Sequence, residues 1–130
     1  MSIGFAHADD LPRQQGSAAN FTGAVSFRAV AAGQGEPVGV NRVTFEHGAR
    51  THWHTHSGEQ VLYFLEGRGR VQVRGERAVD AAPGDVARIP PRAEHWHGAH
   101  PDEPQAMTHL AITFGAPTWL EPVSEAVYRD

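Results

Sequence analysis

Residues 52–60 read HWHTHSGEQ, and residues 95–97 read HWH. Because successive side chains of a β-strand point to opposite faces, His52, His54 and His56 share one face, and the same parity joins the two histidines of the second run. Imidazoles that converge from two strands on one cavity can bind a metal ion, and they suit Mn, Fe, Ni, Cu and Zn better than Mg or Ca. The two runs therefore predict a metal site inside a small β fold. A packing or surface role for these histidines is the alternative that the residues leave open.

Around these runs, the composition is that of a soluble single domain. The chain has 130 residues, of which 40% are hydrophobic and 20% charged, so it has the length of one domain and is too apolar to be disordered. It contains no apolar run approaching the ~18 residues that a membrane span needs, and its first residues lack the apolar segment of a secretory signal. We therefore expect a cytoplasmic protein without a membrane partner.

Two residue types are absent from the sequence. There is no cysteine, and all 11 basic residues are arginine. Disulfides, thiol nucleophiles, iron–sulfur clusters and thiolate zinc sites are excluded, and so is Schiff-base chemistry on a lysine side chain. The net charge of −4 and the dispersed arginines argue against a nucleic-acid partner.

The rest of the sequence is typical of short β-strands separated by Gly and Pro turns. Turn signals recur about every 8–12 residues, which favours an all-β sandwich or barrel over a βαβ fold. Residues 60–66 (QVLYFLE) predict a strand buried on both faces, with Tyr63 in the core, that pairs with residues 71–74 across the turn at 67–69. Residues 51–56 alternate strictly between the two faces of a strand.

The pattern also predicts how the chain is organised. Residues 1–20 form an N-terminal arm, either loose or packed against a neighbouring subunit, and residues 21–130 form one domain. A turn is predicted at residues 33–37, and residues 122–128 predict a short C-terminal helix or a wrapping tail. Because exposed sheet edges need covering, we expect a homo-oligomer.

The histidine runs resemble the two motifs of the cupin superfamily. The first motif is matched by Gly48, His54, His56, Gln60 and Gly67, and the second by Gly84, Pro90 and His95, each at the family's spacing. The resemblance covers most of the domain and implies a single-domain jelly-roll β-barrel that assembles as a homodimer or homotetramer. It also implies a divalent metal held by His54, His56, Gln60 and His95.

Three positions depart from the usual motifs. Gln60 stands where most cupins have a glutamate, Arg92 replaces a glycine and Ala99 replaces an asparagine. Glu59 is an alternative ligand if a bulge shifts the register, and Arg92 is either a solvated loop residue or a gate for an anionic substrate. His52 is a further unusual residue, which crowds the site or adds a hydrogen bond behind a ligand.

The local strings narrow the resemblance further. WHTHSGEQ, PGDV, EHWHGA and AMTHLAI look like small bacterial cupins that include manganese-dependent hydroxynitrile lyases and carboxymuconolactone decarboxylase-associated proteins. In that subgroup a glutamine replaces the glutamate ligand. The resemblance implies manganese, with Fe, Ni, Zn or Cu as alternatives, and puts His109 in the cavity as a base with His97 beside it. In the competing interpretation, His97 or His109 only orients a ligand. Because side chains alternate along a strand, His109, Ala111 and Thr113 lie on one face.

The function that these features favour is a metal-dependent lyase that cleaves or forms small α-hydroxynitriles. Three neutral imidazoles and an amide oxygen leave the full +2 charge on the metal, which makes it a strong Lewis acid. A metal-dependent dioxygenase acting on a small organic substrate is the alternative enzyme. A non-enzymatic cupin that binds a metal or a small molecule is the alternative outside catalysis.

Overall fold

The computed structural model describes residues 3–32 and 38–130, so the turn predicted at 33–37 lies outside the described residues. The described chain is almost entirely β-structure. Its elements are a 3-10 helix (Ala8–Asp10), β1 (Gln14–Gln15), β2 (Phe21–Thr22), β3 (Val25–Ala32), β4 (Val38–Phe45), β5 (Arg50–Thr51), β6 (His54–His56), β7 (Gln60–Glu66), β8 (Gly69–Val73), β9 (Val79–Ala81), β10 (Val86–Ile89), β11 (His95–Ala99), β12 (Met107–Phe114), β13 (Pro117–Trp119) and α1 (Glu125–Arg129).

The strands form two antiparallel sheets that pack face to face. The first sheet has the order β1-β3-β4-β12-β7-β10, and the second has the order β13-β6-β11-β5-β2, with β8 paired to β11 and β9 paired to β8. This arrangement confirms the predicted all-β jelly-roll fold with a short C-terminal helix. In the part of the chain that the structure describes, the two sheets are not joined by hydrogen bonds into one closed barrel, because each keeps its own edge strands.

The main hydrophobic core lies between the sheets. Phe45, Leu62, Phe64 and Met107 from the centre of the first sheet are completely buried there. A second cluster lies on the outer face of the second sheet, where the C-terminal segment covers it. Its buried members are Trp53, Trp96, Val123 and Tyr128.

The C-terminal segment is held on that outer face by the buried Arg50 of β5. Its guanidinium donates to the carbonyl of Val123 at 2.8 Å and to the carboxylate of Glu125 at 2.9 Å, and it lies 4.3 Å over the Tyr128 ring. The Tyr128 hydroxyl donates to the carbonyl of Ala99 in β11. A helix as short as α1 is not stable alone, so these contacts fix it behind the strands that carry the histidines.

The predicted pairing of residues 60–66 with residues 71–74 is wrong. β7 pairs with β12 and β10 in the first sheet, whereas β8 pairs with β11 and β9 in the second. The turn between them therefore carries the chain from one sheet to the other. Gly67 adopts a positive φ of 67° there, and a Cβ at this position would lie 2.5 Å from the carbonyl oxygen of Ala106.

The prediction that β7 is buried on both faces is also wrong. Leu62 and Phe64 point into the core, but Tyr63 is 42% exposed on the outer face of the first sheet. The apolar composition of QVLYFLE does not reveal which face is covered. In a two-layer fold each sheet buries only the face turned towards the other sheet.

The strict alternation predicted for residues 51–56 breaks at His52 and Trp53. Thr51 lines the space between the sheets, whereas Trp53 packs in the outer cluster. The backbone of Trp53 pairs with the C-terminal segment, accepting from Leu120 at 2.8 Å and donating to Glu121 at 2.9 Å. β5 therefore ends at Thr51, and β6 restarts the alternation at His54.

The N-terminal arm joins the fold before the boundary predicted at residue 20. In β1, Gln14 lies opposite Phe27 of β3. The boundary itself and the homodimer or homotetramer stay predictions. Within residues 3–32 and 38–130, the structure has no helix with the length and apolar character needed to cross a membrane.

The close approach of β11 to β5 gives a test of this architecture. A Cβ on Gly98 would lie 2.5 Å from both the carbonyl oxygen of Ala49 and the Cβ of Arg50. We expect Gly98→Ala to lower the free energy of unfolding by about 1–3 kcal/mol, as overpacking typically does. Gly39→Ala is the matched control, because its Cβ would meet no atom of the described residues closer than 3.8 Å. Equal urea midpoints for the two variants would contradict the packing described here.

Candidate metal centre

Two neighbouring strands of the second sheet bring the histidine runs together. His54 of β6 lies directly opposite His95 of β11 in the antiparallel pairing. Their ring centroids are 4.2 Å apart, and the His56 ring lies 4.9 Å from that of His54 and 5.2 Å from that of His95. All three side chains are buried on the inner face of the sheet.

His97 approaches the same point from the next inward position of β11. One ring nitrogen each of His54, His95 and His97 lies within 4.8 Å of the other two. Two of the four residues predicted as metal ligands, His54 and His95, thus lie together with His97, which is predicted to act as an acid or base. His56 borders this group and lines the cavity beside it.

Backbone carbonyls fix the orientation of two of these rings. The Nδ1 atom of His54 lies 2.9 Å from the carbonyl oxygen of His52, and the Nδ1 atom of His95 lies 2.9 Å from that of Ala93. A carbonyl only accepts, so each neutral ring carries its single proton on Nδ1. The Nε2 atom of each ring keeps a free lone pair, as in histidines that bind metals.

Gln60 completes the donor set from the facing sheet. Its Oε1 atom lies 3.0 Å from Nε2 of His95, and its amide nitrogen donates to the hydroxyl of Thr113 at 2.9 Å. Two acceptor atoms at that separation repel each other unless a cation lies between them. Neutral imidazole nitrogens and an amide oxygen are ligands for a divalent transition metal, so the residues present fit such an ion.

Burial keeps these imidazoles neutral. Burial, with a smaller contribution from the neighbouring His95, lowers the pKa of His54 to about 2 and that of His56 to about 4. Burial also lowers the pKa of His95 itself. At neutral pH the ring nitrogens are therefore free of the protons that would compete with a metal.

A second histidine pair adjoins the group. The Nε2 atom of His109 lies 2.9 Å from Nδ1 of His97, so one proton bridges the two rings. Burial lowers the pKa of His97 well below its ordinary value and that of His109 to about 4. His97 lines the cavity, and its buried Nε2 atom has no hydrogen-bond partner among the described residues. His109 does not line the cavity, and its ring packs against Phe45 and Phe64.

The cavity in front of the histidines has a volume of about 590 Å³. Thr51, Gln60 and Thr113 supply part of its polar surface. Among the described residues that line it, none carries a carboxylate or a guanidinium. Trp119 of β13 belongs to its wall and stacks on the His54 ring at 4.5 Å. Sequence reasoning did not single out Trp119, since it lies outside both motifs.

The positions that the sequence left open have distinct placements. The carboxylate of Glu59 pairs with Arg88 at 3.0 Å on the surface, so Gln60 is the residue that faces the histidines. The side chain of Arg92 is exposed, and its backbone N–H donates to the carbonyl of His56 at 2.8 Å. Arg92 has a positive φ of 65°, a conformation that favours glycine. His52 contributes its carbonyl as the partner of His54.

The lowered histidine pKa values predict how stability depends on pH after metal removal. A histidine whose folded-state pKa lies below that of the unfolded chain binds its proton more readily when unfolded. The chelator-treated protein should therefore lose unfolding free energy as the pH falls from about 6.5 towards 4, by up to about 1.4 kcal/mol per pH unit for each such histidine.

Denaturant titrations across this pH range check the prediction by comparing slopes. The double variant His54→Asn/His56→Asn should show a shallower loss than the wild type, because both lowered pKa values are removed. The exposed His47→Asn should keep the wild-type slope. A double variant with the wild-type slope would contradict the proposed burial of neutral rings.

Known proteins share this fold and part of this sequence. Residues 41–112 match the family model Cupin_2, described as a cupin domain. The chain is 46% identical over 91 residues to an (R)-mandelonitrile lyase from Granulicella tundricola, which covers 67% of this chain and 68% of the relative. A cupin-like protein from Thermotoga maritima superposes with a TM-score of 0.83 at 41% identity, covering 88% of this chain and 90% of that one. A putative acetylacetone dioxygenase from Methylibium petroleiphilum shares the fold with a TM-score of 0.74 at 18% identity, and the match covers 95% of this chain and 88% of that one. The Cupin_2 match and the mandelonitrile lyase relative agree with the histidines that lie between two jelly-roll sheets. The chain therefore belongs to the cupin family.

Proposed function

We propose that the protein is a metal-dependent hydroxynitrile lyase that converts a small α-hydroxynitrile into an aldehyde and hydrogen cyanide. The observation that carries the proposal is the uncharged donor set of imidazoles and the Gln60 amide beside an uncharged cavity. The (R)-mandelonitrile lyase at 46% identity supports the same reaction class.

We assign the metal ligands as His54, His56, Gln60 and His95, with manganese as the first candidate and Fe, Ni, Zn or Cu as alternatives. When bound, the ion supplies a Lewis acid for the substrate oxygen and the departing cyanide. The assignment rests on the 3.0 Å approach of Gln60 to His95. It also rests on the orientations of the His54 and His95 rings, which turn Nδ1 towards a carbonyl and leave Nε2 free.

The paired histidines move the proton in this proposal. His97 lines the cavity, and its buried Nε2 has no hydrogen-bond partner among the described residues, so we propose that this atom accepts the proton of the substrate hydroxyl. As that nitrogen accepts the hydroxyl proton, the bridging proton passes from His97 to Nε2 of His109, so His109 is the base that acts through His97. The carbon–carbon bond breaks, and its electron pair leaves with cyanide. His109 and His97 then return one proton to the cyanide, which forms hydrogen cyanide.

Aromatic side chains keep water away from this pair. Phe45 and Phe64 pack against the ring of His109, which has no solvent exposure. A low-dielectric surrounding strengthens the charge interactions that develop during bond cleavage. The Phe45 and Phe64 rings therefore contribute to the proposed reaction without touching the transferred proton.

Metal retention tests the ligand assignment. Protein purified without added metal and analysed for its elements should carry about one transition-metal ion per chain. His54→Ala should lose it, because even the groups that orient a ligand cost about 10- to 100-fold in metal affinity when mutated, and a lost ligand costs more. The exposed His47→Ala is the matched control and should keep the wild-type content. An unchanged metal content in His54→Ala would place the metal elsewhere.

Cyanide release tests the reaction. The manganese-loaded protein should release cyanide from mandelonitrile under argon, and His97→Gln and His109→Gln should each lower kcat about 100-fold or more, the usual effect of losing acid–base catalysis. The variants should keep their metal, which separates proton transfer from loading. Turnover that requires O₂ would favour the dioxygenase, and a loaded protein without either activity would favour a binding cupin.

A further inference from the structure

A tight turn in the N-terminal arm brings an aromatic ring into the cavity. The backbone N–H groups of Asn20 and Phe21 both donate to the carbonyl of Ser17 at 3.0 Å, and Gly16 donates to the carbonyl of Val25 at 2.8 Å. We name residues 16–21 the N-terminal turn. Its side chains of Ser17, Asn20 and Phe21 line the cavity.

The glycine that opens the N-terminal turn makes room for this ring. A Cβ on Gly16 would lie 2.8 Å from a carbon of the Phe21 ring and 3.2 Å from the Cβ of Val25. Any larger residue would force the ring to move. Gly16 therefore permits the observed placement of the Phe21 ring.

Phe21 extends an aromatic wall that begins at the metal centre. Its ring lies 5.7 Å from that of Trp119 and 6.3 Å from that of Phe45, and Trp119 stacks on His54 at 4.5 Å. Centroid distances of 4.5–7 Å are those of favourable aromatic contacts. A guest that reacts at the histidines would lay its apolar part along this wall.

The cavity offers more room than one aromatic ring needs. A cavity of about 150 Å³ is large enough to bind benzene, whereas this cavity has about 590 Å³. The absence of charged side chains among its described lining residues also favours a neutral guest. Size and polarity together fit an aryl group with two fused rings.

We propose that the N-terminal turn determines specificity, with Phe21 packing against the aryl group of the substrate, and that the substrate class extends to aldehydes and hydroxynitriles with two-ring aryl groups. This inference rests on the proposed function, since it assumes that the reacting carbon lies at the histidines. It gives the arm a binding role inside its own subunit.

Equilibrium binding of 2-naphthalenemethanol tests the proposal without requiring turnover. This alcohol carries the two-ring group but has no nitrile to cleave, and its binding can be followed by quenching of tryptophan fluorescence in the manganese-loaded protein. We expect Phe21→Ala to raise the dissociation constant about 3- to 10-fold, which is the value of one aromatic contact. Phe21→Tyr should restore most of the affinity.

The N-terminal arm offers a matched control. Phe5→Ala removes an aromatic ring that is 79% exposed and contacts only His7 among aromatic groups of the described chain, so it should bind the alcohol as the wild type does. Gly16→Ala keeps Phe21 but displaces its ring, so it should weaken binding as Phe21→Ala does. Circular dichroism of each variant confirms that the fold is retained.

The outcomes separate this inference from the proposed function. If wild type, Phe5→Ala and Phe21→Ala bind the alcohol equally, or if none binds it, the specificity proposal is overturned even when mandelonitrile is cleaved. If binding depends on Phe21 but no hydroxynitrile releases cyanide, the aryl site stands and the lyase reaction falls. With an active enzyme, Phe21→Ala should raise KM for a naphthyl hydroxynitrile more than for acetone cyanohydrin.

Discussion

The pairing of β6 with β11 is the constraint on which the site depends. It sets His54 opposite His95, and residues opposite each other in an antiparallel pair have Cα atoms only ~4.5–5.5 Å apart. The strands are held from behind, where Arg50 and Tyr128 anchor the C-terminal segment across β5 and β11. Gly98 lets the neighbouring backbone approach closely at the same place. Because the C-terminal segment holds the outer face of this sheet, the inner face can carry a cluster of buried polar rings.

A cluster of buried imidazoles is costly unless each ring has a defined partner. Here the Nδ1 atoms of His54 and His95 reach carbonyls, and Gln60 divides its amide between His95 and Thr113. The lone pairs on Nε2 of His54 and His95 and on the amide oxygen of Gln60 are left without a donor. Protons are a poor solution, because burial lowers the pKa of each ring. A divalent ion would satisfy these lone pairs, which is why the residues present fit a metal.

The sequence predicted the inner face of the fold better than its connections. Parity placed His109 and Thr113 on one face, and the structure brings both to the interior with the two histidine runs. The pairing of β7 with β8 failed because hydrophobic pattern does not say which sheet a strand joins. Tyr63 was misplaced for a related reason, since an apolar residue reveals nothing about whether its face is covered. The break at Trp53 depends on backbone contacts with residues 120 and 121, which no local pattern contains.

The metal centre and the aromatic wall share their supports. Trp119 lies opposite His54 in the pairing of β13 with β6, and its ring stacks on that histidine while also facing Phe21. A guest that shifts Trp119 must therefore disturb the histidine behind it, and a metal that fixes His54 must restrict the wall. One stacked pair thus connects the two places, and any coupling of binding through it would be reciprocal. Loading the metal should for that reason order the same surface that we propose recognises the aryl group.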